Sequence, residues 1–340
     1  MSSSGPCSHL PFDEVYAHGE AHELEPDHPE VSVIIAAFDI ARWSLLQRAV
    51  ESACNQSIHP QVVVAIDNNQ ILFHRASEAF DGVEVVLNER NRGASATRNT
   101  GAAAASGRIL AFLDDDAEAS DEWLARLIDP LIKNPSVIGV GGGVVPSWPS
   151  AQPKWFPTEF GWVVGASYTG LPKSVTPVRN VWSENMAVRA SEFHRVGGFR
   201  EGFGKIGNSS RPEDTEFCLR IQSEHPGTKW LYDPDAIITH HVPENRATFG
   251  FFMRRCIAEG RGKAHLAQYV GRSKALATER SYVVHSLVTG VLTGARQTYR
   301  GDFTGVMRSG AIVLGGILAS LGYVTEAVNS MKTYSSSHNT

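Results

Sequence analysis

The chain has 340 residues, of which 42% are hydrophobic, so it is long enough to bury one large core and to carry an appendage. The formal net charge is −5, and this balance gives no support for a nucleic-acid polymer as a partner. Four scattered cysteines without CxxC spacing predict reduced thiols, and no basic and then apolar run marks a signal peptide at the N-terminus. These features predict a cytoplasmic protein.

Residues 1–29 are polar and predict a disordered extension. Over the next 120 residues, short apolar runs alternate with segments of helical spacing, which predicts an α/β fold with a mostly parallel sheet flanked by helices. The predicted strands of this part are Val31–Ala36, Gln61–Ile66, Val83–Leu87, Ile109–Leu113 and Val137–Val145. The predicted helices are Trp43–Cys54, Leu72–Phe80 and a small-residue helix just before the fourth strand.

The remaining chain divides by composition. Residues 30–145 and 146–265 are the two predicted halves of the main domain. In the second half the sequence predicts a strand and a short helix within Trp182–Phe199, a helix that starts near Pro212 in RPEDTEFCLRI, and a helix over Thr248–Arg261. Two short strands are predicted at Lys229–Tyr232 and Ala236–Thr239. Residues 266–330 are apolar and predict C-terminal helices, and residues 331–340 predict a disordered tail. Ser281–Ala295 and Ser309–Thr325 lack charged side chains but are short for a spanning helix. Three arrangements stay open: helices at a membrane surface, a hairpin packed on the main domain, or a two-span hairpin.

Three consecutive carboxylates, Asp114, Asp115 and Asp116, follow directly on the apolar run Ile109–Leu113. This order predicts a buried strand whose carboxyl end delivers oxygen ligands to one point, where Mg²⁺ or Mn²⁺ would neutralise the mutual repulsion. The alternative is an acidic loop before a helix that begins at Ser120 or Asp121.

Upstream of the triplet, the chain reads NRGASATRNTGAAAASG, from Asn91 to Gly107. The order N-x-G, R-N-x-G and A-x-G, then an apolar strand and D-D-D, resembles the nucleotide-sugar half of glycosyltransferase family 2. The resemblance extends over about residues 31–265. It implies a GT-A fold, a Rossmann-like nucleotide-diphospho-sugar transferase architecture, and an inverting, metal-dependent glycosyltransferase with the C-terminal apolar helices added to it.

The resemblance also implies roles for particular residues. Asp116 would bind the metal together with His240 or His241, which end a later predicted strand. Ala36 and Phe38 stand where the family more often has Pro-x-Tyr, so this chain departs from the pattern there. The residues expected at the nucleotide sugar are Ala36, Phe38, Asp67, Arg98, Asp114, Asp115, Glu184, Asn185 and Glu213.

The expected general base is Asp214, in the segment RPEDTEF. An inverting transfer is a single displacement, so one positioned carboxylate is enough to accept the proton of the acceptor hydroxyl. Taken alone, the segment is also compatible with Asp214 acting only as a helix cap.

Several later segments, among them ENMAVRASEFHRVGGF, resemble the branch of glucosyl-dolichyl-phosphate glucuronosyltransferases. This implies a UDP-sugar donor, such as UDP-glucuronate or UDP-glucose, and a polyprenyl-phosphate-linked sugar or other glycan as acceptor. The expected place is the cytoplasmic face of a membrane, with the protein bound peripherally. The rival functions are a glycosyltransferase for a soluble acceptor such as a secondary metabolite, a non-catalytic sugar-nucleotide scaffold, and a nucleotidyltransferase. AAFDIAR fits poorly to the phosphate loop that the last would need.

Overall fold

The computed structural model describes residues 30–206, 209–271 and 282–337. Within these ranges the strands are β1 (Val31–Ala37), β2 (Gln61–Asp67), β3 (Glu84–Asn88), β4 (Ile109–Asp114), β5 (Ala117–Ala119), β6 (Val137–Ser147), β7 (Thr176–Val178), β8 (Asn185–Arg189), β9 (Gly204–Ile206), β10 (Ser209–Arg211) and β11 (Lys229–His241). The α-helices there are α1 (Trp43–Cys54), α2 (Gln70–Ala79), α3 (Ala94–Ala104), α4 (Trp123–Lys133), α5 (Ala190–Arg195), α6 (Glu213–Glu224), α7 (Phe249–Val270), α8 (Val288–Tyr299) and α9 (Thr304–Ser337). Short 3-10 helices cover Ile40–Arg42, Thr158–Val164 and Glu244–Arg246, and a π-helical turn covers Tyr282–Leu287.

One mixed sheet organises the chain, in the order β3-β2-β1-β4-β8-β6-β11-β5, with β7 also paired to β11. Strands β1 to β4 pair in parallel, as predicted, and each lies within one residue of its predicted bounds. Strand β8 enters antiparallel between β4 and β6, while β6 and β11 are parallel to each other. Six of the nine described strands of this sheet therefore run in one direction, and their carboxyl ends share one edge.

Helices cover both faces of the sheet because the central strands are apolar on both sides. Along β1, Val33 and Ile35 face the core that α1, α2 and α4 cover. Ile34, between them, faces the opposite core, which is formed with α3, α5 and α6. The small residues of α3 allow that helix to lie close to the sheet: a Cβ added at Gly101 would lie 2.6 Å from Ile34 Cγ2.

The C-terminal helices pack on the main domain. A Cβ at Gly260 of α7 would lie 1.9 Å from the carbonyl oxygen of Ala319 in α9, and one at Gly322 would lie 2.2 Å from that of Ile257. These backbones touch with no side chain between them. The predicted boundaries at residues 265 and 330 fall inside α7 and α9, whereas the predicted extension 1–29 and residues 338–340 lie outside the described residues.

The cysteine prediction needs one correction. Cys218 and Cys256 are free and buried, and burial raises the pKa of both thiols, to about 12 for Cys256, so they stay protonated. Cys54 is disulfide-bonded, so the expectation of four reduced thiols does not hold for it.

Candidate active site

The acidic triplet lies at the carboxyl edge of the sheet, as the sequence predicts. Asp114 is the last residue of β4 and pairs with Ala36 of β1. Asp115 and Asp116 are buried in the turn to β5, with 3% and 5% of their surface exposed. The backbone carbonyl of Asp116 accepts a hydrogen bond from the His241 amide at 2.8 Å, which fixes the turn against β11.

Arg42 is the cation that holds these two carboxylates. Its Nη1 lies 2.7 Å from Asp115 Oδ1 and 2.9 Å from Asp116 Oδ2. Sequence reasoning missed this residue, although it is the basic side chain of AAFDIAR, just after β1. Within the described part of the chain, the buried Asp115 Oδ2 has no hydrogen-bond partner. Burial, together with the charges of Asp116 and Asp114, raises the pKa of Asp115 to about 7 despite the opposing effect of Arg42.

His240 is the histidine that faces the triplet. Its Nε2 lies 3.2 Å from Asp116 Oδ1, and the ring is 2% exposed. Side chains alternate along a strand, so His241 is on the other face of β11. Burial works against the charged imidazole, but the hydrogen bond and charge of Asp116 raise the pKa of His240 to about 9. Burial would raise the pKa of Asp116, yet His240 and Arg42 outweigh it and lower that pKa to about 2.

The residues present fit a divalent cation by their chemistry. Two buried atoms point to this, Asp115 Oδ2 and His240 Nδ1, because neither finds a hydrogen-bond partner among the residues that the structure describes. Carboxylate oxygen and imidazole nitrogen are donors that Mn²⁺ accepts, and Mg²⁺ suits the carboxylates. Among the described residues, no group of three or more His, Cys, Asp or Glu side chains has converged into a ligand arrangement.

A pocket of about 220 Å³ opens beside the triplet, between the sheet edge and helices α6 and α7. It brings together five of the predicted site residues, which are Arg98, Asp114, Glu184, Glu213 and Asp214. Trp162 and Trp182 also line it, and both belong to the aromatic-rich segments of the second half. Residues predicted for the nucleotide sugar and the predicted general base therefore line one cavity.

Two half-buried carboxyl groups in this pocket have displaced pKa values. Burial, with the neighbouring charges of Glu213 and Glu259, raises the pKa of Asp214 to about 7. Burial, with the charges of Asp114, Asp116 and Asp214, raises that of Glu184 to about 8, although His240 opposes the shift. Both carboxyl groups therefore keep their protons to a higher pH than an ordinary carboxyl group does, and Glu184 keeps its proton to a higher pH than Asp214.

Arg98 bridges the two halves of the main domain. It is 5% exposed, and its guanidinium lies 2.5 Å from Asp114 Oδ1 on β4 and 3.2 Å from Glu213 Oε1 on α6. Burial raises the pKa of Glu213, and Arg98 opposes that shift. The two carboxylates flank one cation, so the position of α6 relative to the triplet depends on Arg98.

Asp67, Ala36 and Phe38 lie at the ends of the first two strands, outside the lining of the pocket. Asp67 Oδ2 accepts a hydrogen bond from the Gly93 amide at 2.9 Å, at the start of α3. Gly93 has a φ of 120°, which side chains rarely adopt, so the turn that presents its amide favours glycine. Phe38 is 48% exposed and stands beneath Arg42, whose guanidinium carbon is 5.5 Å from the ring centre.

Asn185 has a different place from the expected sugar contact. It is 1% exposed, and its amide nitrogen donates to the carbonyl oxygens of Gly143 at 2.9 Å and Ala236 at 3.0 Å. Its amide oxygen accepts from Trp123 Nε1 at 2.8 Å. These bonds tie β8, β6, β11 and α4 together, so Asn185 helps to hold the sheet, and its contact with the nucleotide sugar stays a prediction.

Helix α7 supplies pocket residues that the sequence did not single out. Arg255 and Glu259 line the cavity, and their side chains pair at 3.2 Å. Lys263 lies 3.6 Å from Glu259 on the next turn, and the guanidinium carbon of Arg255 stands 6.0 Å from the ring centre of Trp162. The i, i+4 spacing of these charges is visible in RRCIAEGRGK, but it is also typical of an exposed helix face.

Comparisons with known proteins show the family of the chain. The sequence model described as glycosyl transferase family 2 matches residues 32–192. A glucosyl-dolichyl phosphate glucuronosyltransferase of Haloferax volcanii is 32% identical over 239 residues, which is 69% of this chain and 76% of that protein. The chain belongs to glycosyltransferase family 2.

Proteins of lower sequence identity resemble part of this chain or share its fold. The succinoglycan biosynthesis protein ExoM of Rhizobium meliloti is 28% identical over 163 residues, 47% of this chain and 48% of that protein. The mannosyltransferase PcManGT from Pyrobaculum calidifontis, solved with GDP-Man and Mn²⁺, superposes with a TM-score of 0.54 at 17% identity, covering 87% of each chain. GalNAc-T7, solved with UDP, GalNAc and Mn²⁺, gives 0.51 at 16% identity, covering 77% of this chain and 58% of its own. The GT-A fold and the glycosyltransferase assignment are thereby confirmed.

Proposed function

We propose that this family 2 enzyme is an inverting, metal-dependent glycosyltransferase that moves a sugar from a UDP-sugar to a hydroxyl of a polyprenyl-phosphate-linked sugar. The observation that carries the proposal is that Asp214 and Asp114 line the same pocket. The first is a carboxylate with a pKa near neutral, and the second belongs to the triplet at the strand edge. The name of the Haloferax relative supports a lipid-linked acceptor and makes UDP-glucuronate the first donor to test.

Asp214 accepts the proton in this mechanism. The acceptor oxygen attacks the anomeric carbon from the face opposite the nucleotide, the bond to the diphosphate breaks, and the hydroxyl proton passes to a carboxylate oxygen of Asp214. Asp214 Oδ1 already accepts a hydrogen bond from the Thr215 amide at 2.6 Å, which fixes the orientation of the carboxylate at the start of α6. Glu184, with the higher pKa of about 8, is the less ionised of the two near pH 7 and serves better as a hydrogen-bond donor to sugar.

Asp116 and His240 are the residues that would hold the cation, and the cation would act as a Lewis acid on the leaving diphosphate. His241 faces away from the triplet and is left out of the proposed ligand set. The edge formed by Ala36, Phe38 and Asp67 is the proposed seat of the nucleoside. Asp114 and Asp115 face its ribose and diphosphate, and Arg98 and Glu213 hold α6 against that site.

We further propose that α8 and α9 rest on a membrane surface. Within the described residues, one helix, α9, has a segment with the length and apolar character to cross a bilayer. This segment is Thr304–Ser330, and its mean hydropathy is 1.7. One face of that helix lies against α7, where Gly322 meets Ile257 and Gln268 donates a hydrogen bond to Ser330. The opposite face leaves large apolar side chains half exposed, among them Val313, Ile317, Leu321 and Val324. A helix bound to the domain along this length is suited to lying on the bilayer surface. The cytoplasmic side remains a prediction from the sequence.

The test of the activity is nucleotide release. Wild type, Asp214→Asn and the control Glu224→Gln, which alters an exposed carboxylate at the far end of α6, are incubated with UDP- and GDP-sugars and Mn²⁺. Membrane lipid extract is added to half of the samples. We expect release from one donor, stimulated by lipid, abolished in Asp214→Asn and kept in the control, with UDP binding unchanged in all three. Loss of UDP binding together with activity would show that Asp214 is structural, and release stimulated only by soluble acceptors would refute the lipid-linked acceptor.

The test of the membrane surface is co-sedimentation with vesicles. Leu321→Asp places a charge on the outward face of α9. The matched control is Ile132→Asp on α4 of the main domain, because it puts the same charge in place of an aliphatic side chain that is similarly exposed, 55% against 53%. We expect the first variant to lose vesicle binding and the second to lose much less. Equal binding by wild type and Leu321→Asp would exclude this face as the contact.

A further inference from the structure

Arg42 occupies the position that a cation would take between two buried carboxylates. One guanidinium nitrogen, Nη1, is shared by Asp115 Oδ1 at 2.7 Å and Asp116 Oδ2 at 2.9 Å. Asp114 adds a third negative charge one residue earlier, at the end of β4. Buried carboxylates need compensating positive charge. Arg98 lies against Asp114 and His240 against Asp116, and Arg42 supplies the positive charge at Asp115 and at the second oxygen of Asp116.

The Arg42 side chain is only partly enclosed by the protein. Arg42 ends a single 3-10 turn, Ile40–Arg42, in which no residue is buried, and its side chain is 20% exposed. Beyond the carboxylates, its charged end packs over the half-exposed ring of Phe38. Arg98 provides the contrast in the same site, because its side chain is 6% exposed and is enclosed by β4 and α6. The Arg42 guanidinium can therefore leave the carboxylates without opening the core, whereas that of Arg98 cannot.

A divalent cation on Asp116 would compete with the Arg42 guanidinium for the same carboxylate, because Arg42 already lies 2.9 Å from Asp116 Oδ2. Both are positive, so they repel each other when they stand a few ångströms apart in a site from which water is largely excluded. We propose that Arg42 is a tethered counter-ion: it neutralises Asp115 and Asp116 in the metal-free protein and is exchanged for the divalent cation when the site is loaded. This inference rests on the proposed metal site and adds to it a competitor built into the chain.

The exchange makes two effects of removing Arg42 opposite in sign. Without the guanidinium, the metal-free protein keeps buried carboxylates that lack their counter-charge, so it is less stable. The same carboxylates are then unoccupied, so Mn²⁺ binds more tightly. A residue that merely oriented the carboxylates for the metal would change both properties in the same direction, because its loss would weaken the fold and the metal site together.

The experiment compares Arg42→Gln, Arg42→Lys and the control Arg48→Gln. Arg48 also lies in the α1 region and pairs with Glu118 at 3.1 Å, but both of those side chains are nearly half exposed, so its variant matches the change in net charge. Mn²⁺ binding is titrated without nucleotide by electron paramagnetic resonance, and the melting temperature is measured in EDTA and in saturating Mn²⁺.

We expect Arg42→Gln to bind Mn²⁺ about five- to tenfold more tightly than wild type, which corresponds to about 1–1.4 kcal/mol. This is slightly more than an exposed ion pair contributes, because Asp115 and Asp116 are buried. Its melting temperature should fall in EDTA and approach that of wild type when Mn²⁺ is saturating. Arg42→Lys should lie between the two, and Arg48→Gln should match wild type within about twofold.

The contrary results separate the two proposals. Unchanged or weaker Mn²⁺ binding by Arg42→Gln, with clear binding by wild type, overturns the exchange and leaves the metal site standing. No Mn²⁺ binding by wild type or any variant overturns both. Folding of Arg42→Gln only in the presence of Mn²⁺ would support the counter-ion role. If Arg42→Gln folds neither in EDTA nor in Mn²⁺, Arg42→Lys decides, and weaker Mn²⁺ binding by Arg42→Lys than by wild type overturns the exchange.

Discussion

Replacing Arg98 by Gln removes the cation between Asp114 and Glu213 and should lower stability markedly. Deleting one partner of a buried ion pair costs about 3–5 kcal/mol, because the remaining charges stay buried without compensation. The side chain of Asp114 is 26% exposed and that of Glu213 15%, so water screens part of this penalty and the lower end, about 3 kcal/mol, is the better expectation. At about 2–4 °C per kcal/mol for a large domain, the melting temperature should fall by about 6–12 °C.

The stability lost in Arg98→Gln should depend on pH. Burial already raises the pKa of Glu213, and loss of Arg98 raises it further, so the protonated form is favoured in the folded variant. A carboxyl group whose pKa is raised in the folded state costs stability as the pH rises from its unfolded pKa towards the raised one, and the loss is complete above that value. The gap between wild type and Arg98→Gln should therefore be wide at pH 8 and narrow at pH 5, measured by thermal unfolding with circular dichroism. The double variant Arg98→Gln with Glu213→Gln should recover part of the loss, and Arg126→Gln, which breaks an exposed pair with Glu122, should change little. A gap that widens on acidification would falsify the argument.

Two further perturbations test the base and the helix packing. With the pKa of Asp214 at about 7, kcat/KM should fall about tenfold per pH unit below pH 7 and level off above it. Because that raised pKa makes the ionised wild type costly above pH 7, Asp214→Asn should also melt higher than wild type at pH 8, and a lower melting temperature there would contradict the assignment. Gly260→Ala puts a methyl group 1.9 Å from the Ala319 carbonyl oxygen and should separate α7 from α9, lowering the melting temperature and transfer together. Gly310→Ala, also on α9, is the control, because a methyl group there would contact no described atom within 4 Å. It should leave stability unchanged or raise it by up to about 1 kcal/mol. Equal melting temperatures of the two glycine variants would show that α7 and α9 are not tightly packed at Gly260.

The first half of the fold was predictable because its signals are local. Apolar runs such as Ile109–Leu113 and Gln61–Ile66 end in acidic residues, and each became a central strand within one residue of its predicted bounds. The β5 strand, three residues long, and the antiparallel insertion of β8 between β4 and β6 depend on pairing with distant strands. No short window of sequence contains that information.

The histidine at the triplet shows the same limit at a single position. The sequence predicts two strands, Lys229–Tyr232 and Ala236–Thr239, and leaves His240 and His241 undecided. The structure joins them into one strand, β11, whose register against β6 shifts between Asp233 and Ile237. A bulge of this kind resets the alternation of side chains, so which histidine turns towards Asp116 is decided by the bulge.

Among the charged residues, spacing located the carboxylates but not their partners. Asp114, Asp214 and Glu184 were named from motifs and meet in one pocket. Arg42 lies 73 residues from Asp115 in the chain, and Arg98 lies 115 residues from Glu213, so both pairs exist only through the tertiary fold. Asn185 was named from the same motif as Glu184, but its side-chain amide donates hydrogen bonds to the Gly143 and Ala236 carbonyl oxygens inside the sheet.

Helix α7 fixes a distance. One part of its surface carries Arg255 and Glu259 into the pocket, and another, at Gly260, touches the backbone of α9 directly. If the outer face of α9 rests on the bilayer, α7 keeps the pocket at a constant distance from the lipid surface. Acceptors would then be sorted by reach: a sugar attached directly to the lipid phosphate meets the pocket, and the same sugar at the end of a longer glycan stands beyond it. Such an enzyme would add its residue at one stage of glycan assembly even where the terminal sugars of later stages are chemically identical.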